Sequence, residues 1–294
     1  MKKKGRILLT GATGFLGSNL LHKFLSEDFD VVILARKTSN FSRIQESLGM
    51  IQILHLEDLD YELVFKESRV DAVVHCATNY GRKIESSLSI LEANLMLPLK
   101  LLQAGINNGL KYFVNTDTNL DKRVNFYSLS KSQFKDWLKL YSEKMTCINV
   151  SLEHFYGPND DKSKFTTWAI NSLIHREAQM DLTLGYQKRD FIYIDDVCDA
   201  FVAIIKHAML ATVGFRSYEL GTGDPISIRD FIGLIKTMTG NTETKLNFGV
   251  IPYRENEVFE YKTNLTEIKL LGWYPKVPLK DGLSMTIEFE SRRI

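Results

Sequence analysis

The sequence predicts an α/β fold, a doubly wound parallel sheet with a smaller C-terminal region interleaved with it. Short apolar runs alternate with helical patterns through the first half, a G-x-x-G-x-x-G run joins the first such pair, and the rhythm changes after Val150. Regular alternation of this kind brings right-handed crossovers and helices on both sheet faces.

Taken in order, strands are predicted at Arg6–Thr10, Val31–Ala35, Ile51–His55, Ala72–Cys76, Tyr112–Thr116 and Thr146–Val150. Several are almost wholly apolar, as strands covered on both faces are. Helical patterns fill the intervals: Phe15–Leu25, Phe41–Leu48 with Asn40 as its cap, Tyr61–Glu67, Ile84–Asn107 stopped by Gly109, and Phe126–Ser142. Past Val150, Gly157-Pro158-Asn159-Asp160 forms a loop, and Gly221, Gly223, Pro225, Pro252, Pro275 and Pro278 punctuate shorter elements. A helix over Val197–Ala208 returns to the sheet. The expected division is one domain over residues 1–155 with a return segment near 190–217, and a second over 156–189 and 218–294.

Composition narrows the function classes. The chain has 294 residues, 44% hydrophobic and 25% charged, with a net charge of +1. These values suit a soluble globular protein and remove any general electrostatic case for nucleic acid. The Lys2–Lys4 run is followed by Ile7, Leu8 and Leu9, but Thr10 and Gly11 interrupt the apolar stretch at once. No run of about 18 apolar residues is present, so no membrane span is expected and the cytoplasm is the expected compartment. Cys76, Cys147 and Cys198 lack C-x-x-C spacing and the histidines lack metal-ligand spacing, so no metal site is expected.

Gly11-Ala12-Thr13-Gly14-Phe15-Leu16-Gly17 follows the first strand and opens the first helix. Gly11 permits the tight turn, Gly14 the approach of a pyrophosphate, and Gly17 close packing, while the helix N-terminus offers N–H groups and positive dipole to phosphate. A glycine trio alone is often only a flexible turn. Between a strand and a helix it predicts dinucleotide binding. The second strand ends in Ala35-Arg36-Lys37-Thr38, where NAD sites usually carry an acidic residue. Arg36 and Lys37 either clamp a 2′-phosphate, which selects NADP(H), or are exposed loop charges. Asp58 is a candidate for the adenine amino group or a helix cap.

Tyr127 and Lys131 stand four apart on a predicted helix and share a face. A neighbouring ammonium favours phenolate, bringing a sluggish phenol nearer to useful acid–base work. Thr116 ends the fifth strand, at the edge where open α/β sheets bind ligands, and could steady a substrate oxygen. The three make a candidate catalytic set.

With these residues in hand, the chain resembles the extended short-chain dehydrogenase/reductases, the NAD-dependent epimerase/dehydratase family, nearly end to end. Phe155-Tyr156-Gly157-Pro158, Arg189-Asp190-Phe191, Gly221-Thr222-Gly223 and Leu271-Gly272-Trp273 agree with that family. The resemblance implies a Rossmann sheet, adds Ala77 and Asn94 to the cofactor-binding residues, and implies substrate contacts by Tyr80, Asp117, Thr118, His154, Arg189 and Arg254, the two arginines on a diphosphate. Ala77–Gly81, Asn115–Thr118, Leu152–Pro158 and Arg254–Glu257 are most similar to the branch of CDP-abequose and CDP-paratose synthases, which reduce C4 of a CDP-4-keto-3,6-dideoxyhexose. Three departures bear on this. Thr118 replaces the Glu that dehydratases use, and a hydroxyl cannot serve as that base. His154 stands where many relatives have Asn, and the acidic NAD signature is missing.

The implied activity is NADPH-dependent reduction of the C4 keto group of a nucleotide-activated hexose, 4-keto-6-deoxy or 3,6-dideoxy and CDP-linked in the favoured case, for deoxysugars of O-antigen and lipopolysaccharide. The alternatives are a sugar-nucleotide 4-epimerase with retained cofactor and a redox-sensing binding protein on the same fold. A homodimer through a bundle of the Ile84–Asn107 and Tyr127 helices is implied, with Leu88, Leu91, Leu95 and Leu102 assigned either to it or to the core.

Overall fold

The apolar runs of the first half become a parallel sheet. The computed structural model describes residues 3–81 and 86–293. Its strands are β1 (Arg6–Thr10), β2 (Asp30–Ala35), β3 (Gln52–His55), β4 (Ala72–His75), β5 (Tyr112–Thr118), β6 (Thr146–Leu152), β7 (His154–Tyr156), β8 (Gln179–Leu182), β9 (Lys188–Arg189), β10 (Phe191–Tyr193), β11 (Gly214–Leu220), β12 (Ile226–Ser227) and β13 (Lys245–Phe248). Its α-helices are α1 (Phe15–Ser26), α2 (Tyr61–Ser68), α3 (Ser87–Leu91), α4 (Leu97–Asn107), α5 (Phe126–Tyr141), α6 (Phe165–Ile174), α7 (Ile194–Ala208), α8 (Ile228–Met238), α9 (Thr266–Lys269) and α10 (Leu279–Ser291).

Two compact units divide the chain: Met1–Leu152 with Cys198–Tyr218 and Glu267–Trp273, and Glu153–Val197 with Glu219–Thr266 and Tyr274–Ile294. The first is built on a seven-stranded sheet in the order β11-β6-β5-β4-β1-β2-β3. Neighbours from β6 through β3 are parallel. The chain reverses direction of winding between β1 and β4, which is where open sheets of this kind hold ligands. Leu8, Val32, Val73 and Phe113 are buried on the sheet, and Leu101, Leu102, Phe134 and Leu138 close over them from α4 and α5.

Two helical expectations changed in detail. The pattern over Phe41–Leu48 is a kinked 3-10 segment, Ser42–Met50, with Asn40 making an Asx turn to the Ser42 N–H (2.9 Å). Only Ile44 and Ser47 of it are buried, too few apolar anchors to hold an α-helix. The long fourth helix is α3, a π turn over Glu92–Met96, and α4; its predicted start at Ile84 lies outside the described residues. Pro98 supplies the reason. It has no N–H for the carbonyl of Asn94, so the i→i−4 ladder breaks there.

The second unit holds three two-stranded pairs, β7 with β10, β9 with β12 and β8 with β13, beside α6, α8 and α10. Phe191 stacks on Phe231 at 3.7 Å between centroids. The buried Asp190 carboxylate accepts the N–H groups of Thr222 (2.9 Å) and Gly223 (2.8 Å) and the hydroxyl of Thr263 (2.8 Å). A Cβ on Gly221 would fall 2.4 Å from that carboxylate, so Asp190 and the glycine turn specify each other. Among the described residues no helix is long and apolar enough to cross a membrane.

Candidate active site

The glycine turn is shaped by contacts that exclude side chains. Gly11 has φ +70°, and a Cβ there would meet the Ala77 nitrogen at 2.6 Å. A Cβ on Gly17 would lie 2.1 Å from the Gly11 carbonyl oxygen. Gly14 occupies the N-cap of α1 with no side-chain cap and no acidic residue in the first turn. The helix therefore begins with donors and positive dipole and nothing of its own to neutralise them, a fit for a pyrophosphate. Thr13 is half-buried in the turn, and Phe15 and Leu16 are buried in the first turn of α1.

Beneath it, the Thr10 hydroxyl accepts the N–H groups of Cys76 (3.2 Å) and Ala77 (3.1 Å) and lies 2.9 Å from His75 Nδ1. With both lone pairs used, its proton goes to Nδ1, which places the His75 proton on Nε2. Burial, with the nearby Lys131 charge, holds His75 well below its ordinary pKa, so it is neutral.

At the end of β2 the two cations differ. Lys37 is paired with Asp58 at 2.7 Å, and its N–H meets the Glu57 carboxylate (3.1 Å). Neither the Lys37 ammonium nor Asp58 is thus an open group, and Asp60 rather than Asp58 caps α2. Both members are exposed, so the pair is weak and exchangeable. The exposed Arg36 guanidinium has no hydrogen bond or ion pair among the described residues.

Tyr127 and Lys131 lie on α5, whose start is fixed by a capping box between Asn125 and Ser128. Tyr127 is half-buried, with the exposed Tyr80 ring 5.1 Å away. Lys131 is 1% exposed, and its Nζ has no hydrogen-bond partner among the described residues. Desolvation pushes its pKa down to about 8, against the opposing pull of Asp117. An orphaned buried ammonium is costly unless a ligand completes it; the hydroxyls of a nicotinamide ribose fit that need.

Other candidates are placed differently from expectation. The Thr116 hydroxyl donates to the His75 carbonyl at 2.9 Å and is buried, so it must rotate to serve a substrate oxygen as donor. Asp117 is buried, and its oxygens accept the Thr118 N–H (2.8 Å) and the Asn149 amide (2.8 Å), so it does not present a free carboxylate to substrate. Thr118 accepts the Leu120 N–H at 3.2 Å. Asn94, in the π turn, accepts the Asn79 N–H (2.8 Å) and donates to the Asn79 carbonyl (2.9 Å) and Ser130 hydroxyl (3.0 Å). With both amide protons engaged, it ties the Tyr80 loop to the Tyr127 helix and keeps no free amide donor for a cofactor.

In the second unit, the exposed His154 ring sits 5.6 Å from Phe191 and 3.5 Å from the Glu153 carboxylate. Arg189 is already engaged by Glu257 and by the carbonyls of Lys188 (2.6 Å) and Val258 (2.7 Å). A diphosphate would have to exchange for Glu257. The exposed Arg254 side chain has no partner among the described residues. Ser130 and Asn149 carry no signal in the sequence, and Asn79 and Glu257 stand there only within segments that carry the resemblance. Pro98 inside a helical pattern signals the break that presents Asn94 to Asn79 and Ser130.

The model of the NAD dependent epimerase/dehydratase family matches residues 7–221. The chain belongs to that family. Among curated members, CDP-abequose synthase of Salmonella muenchen is 31% identical over 97% of this chain and 98% of its own. A putative UDP-glucose 4-epimerase of Methanocaldococcus jannaschii is 24% identical over 96% and 97%. Of solved structures in the epimerase group, UDP-glucose 4-epimerase of Thermotoga maritima with UDP-glucose superposes with a TM-score of 0.85, 21% identity, and coverage of 98% and 99%. UDP-glucuronic acid 4-epimerase of Bacillus cereus, in complex with UDP-glucuronic acid and NAD, gives 0.84, 21%, 98% and 100%. The epimerase/dehydratase fold of this chain is thereby established from end to end.

Proposed function

We propose that this chain is an NADPH-dependent ketoreductase acting on C4 of a nucleotide-linked, CDP in the favoured case, 4-keto-6-deoxy or 3,6-dideoxy hexose. The observation that carries this is the α5 face on which Tyr127 stands one turn from a buried, unpartnered Lys131. Residues Gly11–Gly17, Ala77 and Lys131 would hold the dinucleotide, which when bound supplies hydride. Tyr127 gives its proton to the oxygen that becomes the alcohol, Lys131 stabilises the phenolate left behind, and Thr116, once turned, steadies the same oxygen. The full-length likeness to CDP-abequose synthase supports the substrate class. Thr118 in place of a carboxylate argues against water elimination. A 4-epimerase is the second reading, supported by the likeness to solved UDP-sugar 4-epimerases. Purified protein mixed with a CDP-4-keto sugar and NADPH decides between them: reduction consumes one NADPH per sugar, whereas epimerisation consumes none.

The unpartnered Arg36 supports NADP(H) over NAD(H), since a guanidinium can fork onto a 2′-phosphate. Arg36→Ala is expected to raise the NADPH dissociation constant by roughly 10–100-fold, the worth of a charge-assisted bond, and to leave that for NADH unchanged in a fluorescence titration.

The same helix supports a homodimer. Phe126, Leu129, Trp137 and Leu140 are exposed and fall on one stripe of α5, and Leu88 of α3 is 73% exposed. Leu102 is buried in the core, and Leu91 and Leu95 are half-buried. A stripe of this kind suits packing against a second copy. The double variant Trp137→Glu/Leu140→Glu should give a monomer mass by light scattering where the parent gives a dimer.

A further inference from the structure

The sheet register places four polar side chains in one row across four adjacent strands. Thr10 is level with His75, His75 with Asn115, and Asn115 with Asn149. Residues paired this way project to one face. The contacts of His75 and Phe113 with Phe134 identify it as the face covered by α5. All four are buried. Beyond Thr10–His75, the row is bonded by the Asn115 amide donating to Asn149 Oδ1 (2.9 Å) and the Asn149 amide donating to Asp117 Oδ2 (2.8 Å). Asn149 is thereby fixed in orientation, oxygen towards Asn115 and N–H towards Asp117. The row ends on a carboxylate two residues further along β5, on the same face.

Lys131 reaches that face from α5, one turn before Phe134. Neutral His75 at the end of β4 and Cys76 just after it, whose thiol burial pushes up to about 12, bring no charge near neutrality, and Tyr127 shares its helix face. Among the described groups acting on Lys131, Asp117 is the counter-charge. We propose that Asn149, itself held by Asn115, is a positioning residue that aims the Asp117 carboxylate at Lys131 and so keeps the ammonium charged beside Tyr127. The inference rests on the Tyr127/Lys131 reading, and it gives Asp117 an electrostatic task in place of substrate contact.

The test is a 13C NMR titration of the full-length protein labelled at lysine Cε, with Lys131 assigned through Lys131→Arg. The parent midpoint is expected near 8. Asp117→Asn, equal in volume, should lower it by about one unit, a tenfold loss of proton affinity. Asn149→Leu and the less disruptive Asn149→Ser should lower it in the same direction by less. A folded variant at either position, judged by circular dichroism, whose Lys131 midpoint equals the parent's overturns the proposal. No substrate is needed, so shifted midpoints in a protein that fails to reduce any CDP-4-keto sugar would sustain this inference and sink the functional reading.

Discussion

Tyr127→Phe is expected to lower kcat by about a thousandfold, within the range for losing a positioned acid, while the NADPH dissociation constant stays within a factor of two. The ring keeps its place against Tyr80, and only the hydroxyl is removed. Lys131→Met should differ in kind. It removes both the cation and the buried donor, so kcat falls and NADPH binding weakens together. Stopped-flow reduction with a CDP-4-keto sugar and parallel fluorescence titrations separate the two effects. Tyr127→Phe protein with parental turnover would refute the assignment of Tyr127 as proton donor.

Gly17→Ala is expected to abolish dinucleotide binding and to lower the thermal midpoint by on the order of 10 °C. Overpacking of a rigid interior costs about 3 kcal/mol or more, and proteins of this size lose about 2–4 °C per kcal/mol. The added methyl would enter the Gly11 carbonyl, and Gly11 cannot retreat because it abuts the Ala77 nitrogen. Gly49→Ala is the control, since a Cβ there meets nothing within 4 Å. Scanning calorimetry with and without NADPH reads both quantities. A Gly17→Ala protein that still gains stability from NADPH would contradict this account of the turn.

The parts legible in the sequence are those with local causes. A glycine trio between an apolar run and a helical pattern needs only neighbouring residues to be recognised, and buried parallel strands announce themselves by continuous apolarity. Tyr127 and Lys131 are four apart, so helical geometry alone joins them. The rest depends on long-range pairing. The level of His75 with Asn115 and Asn149 is a property of strand register, which no local pattern carries. Lys37 and Arg36 look alike on paper, yet Asp58 engages one and leaves the other open. Arg189 likewise meets Glu257 across a gap of 68 residues. The inward turn of Asp117 follows from Asn149, 32 positions away. β11 is illegible for a simpler reason: its first four residues are only half-buried, so its pattern is weak.

The wide turn before Pro98 holds one residue more than a regular helix would use for the same rise. Removing a single residue between Glu92 and Met96 would restore ordinary winding and leave α3 and α4 nearly in phase, because the extra residue is what the wide turn absorbs. Asn94 lies inside that turn, so it alone would be displaced from Asn79, and the loop bearing Tyr80 would lose its anchor although no residue at the reaction centre had been altered. In this chain, a local widening of the helix is itself a determinant of how the aromatic wall beside Tyr127 is set.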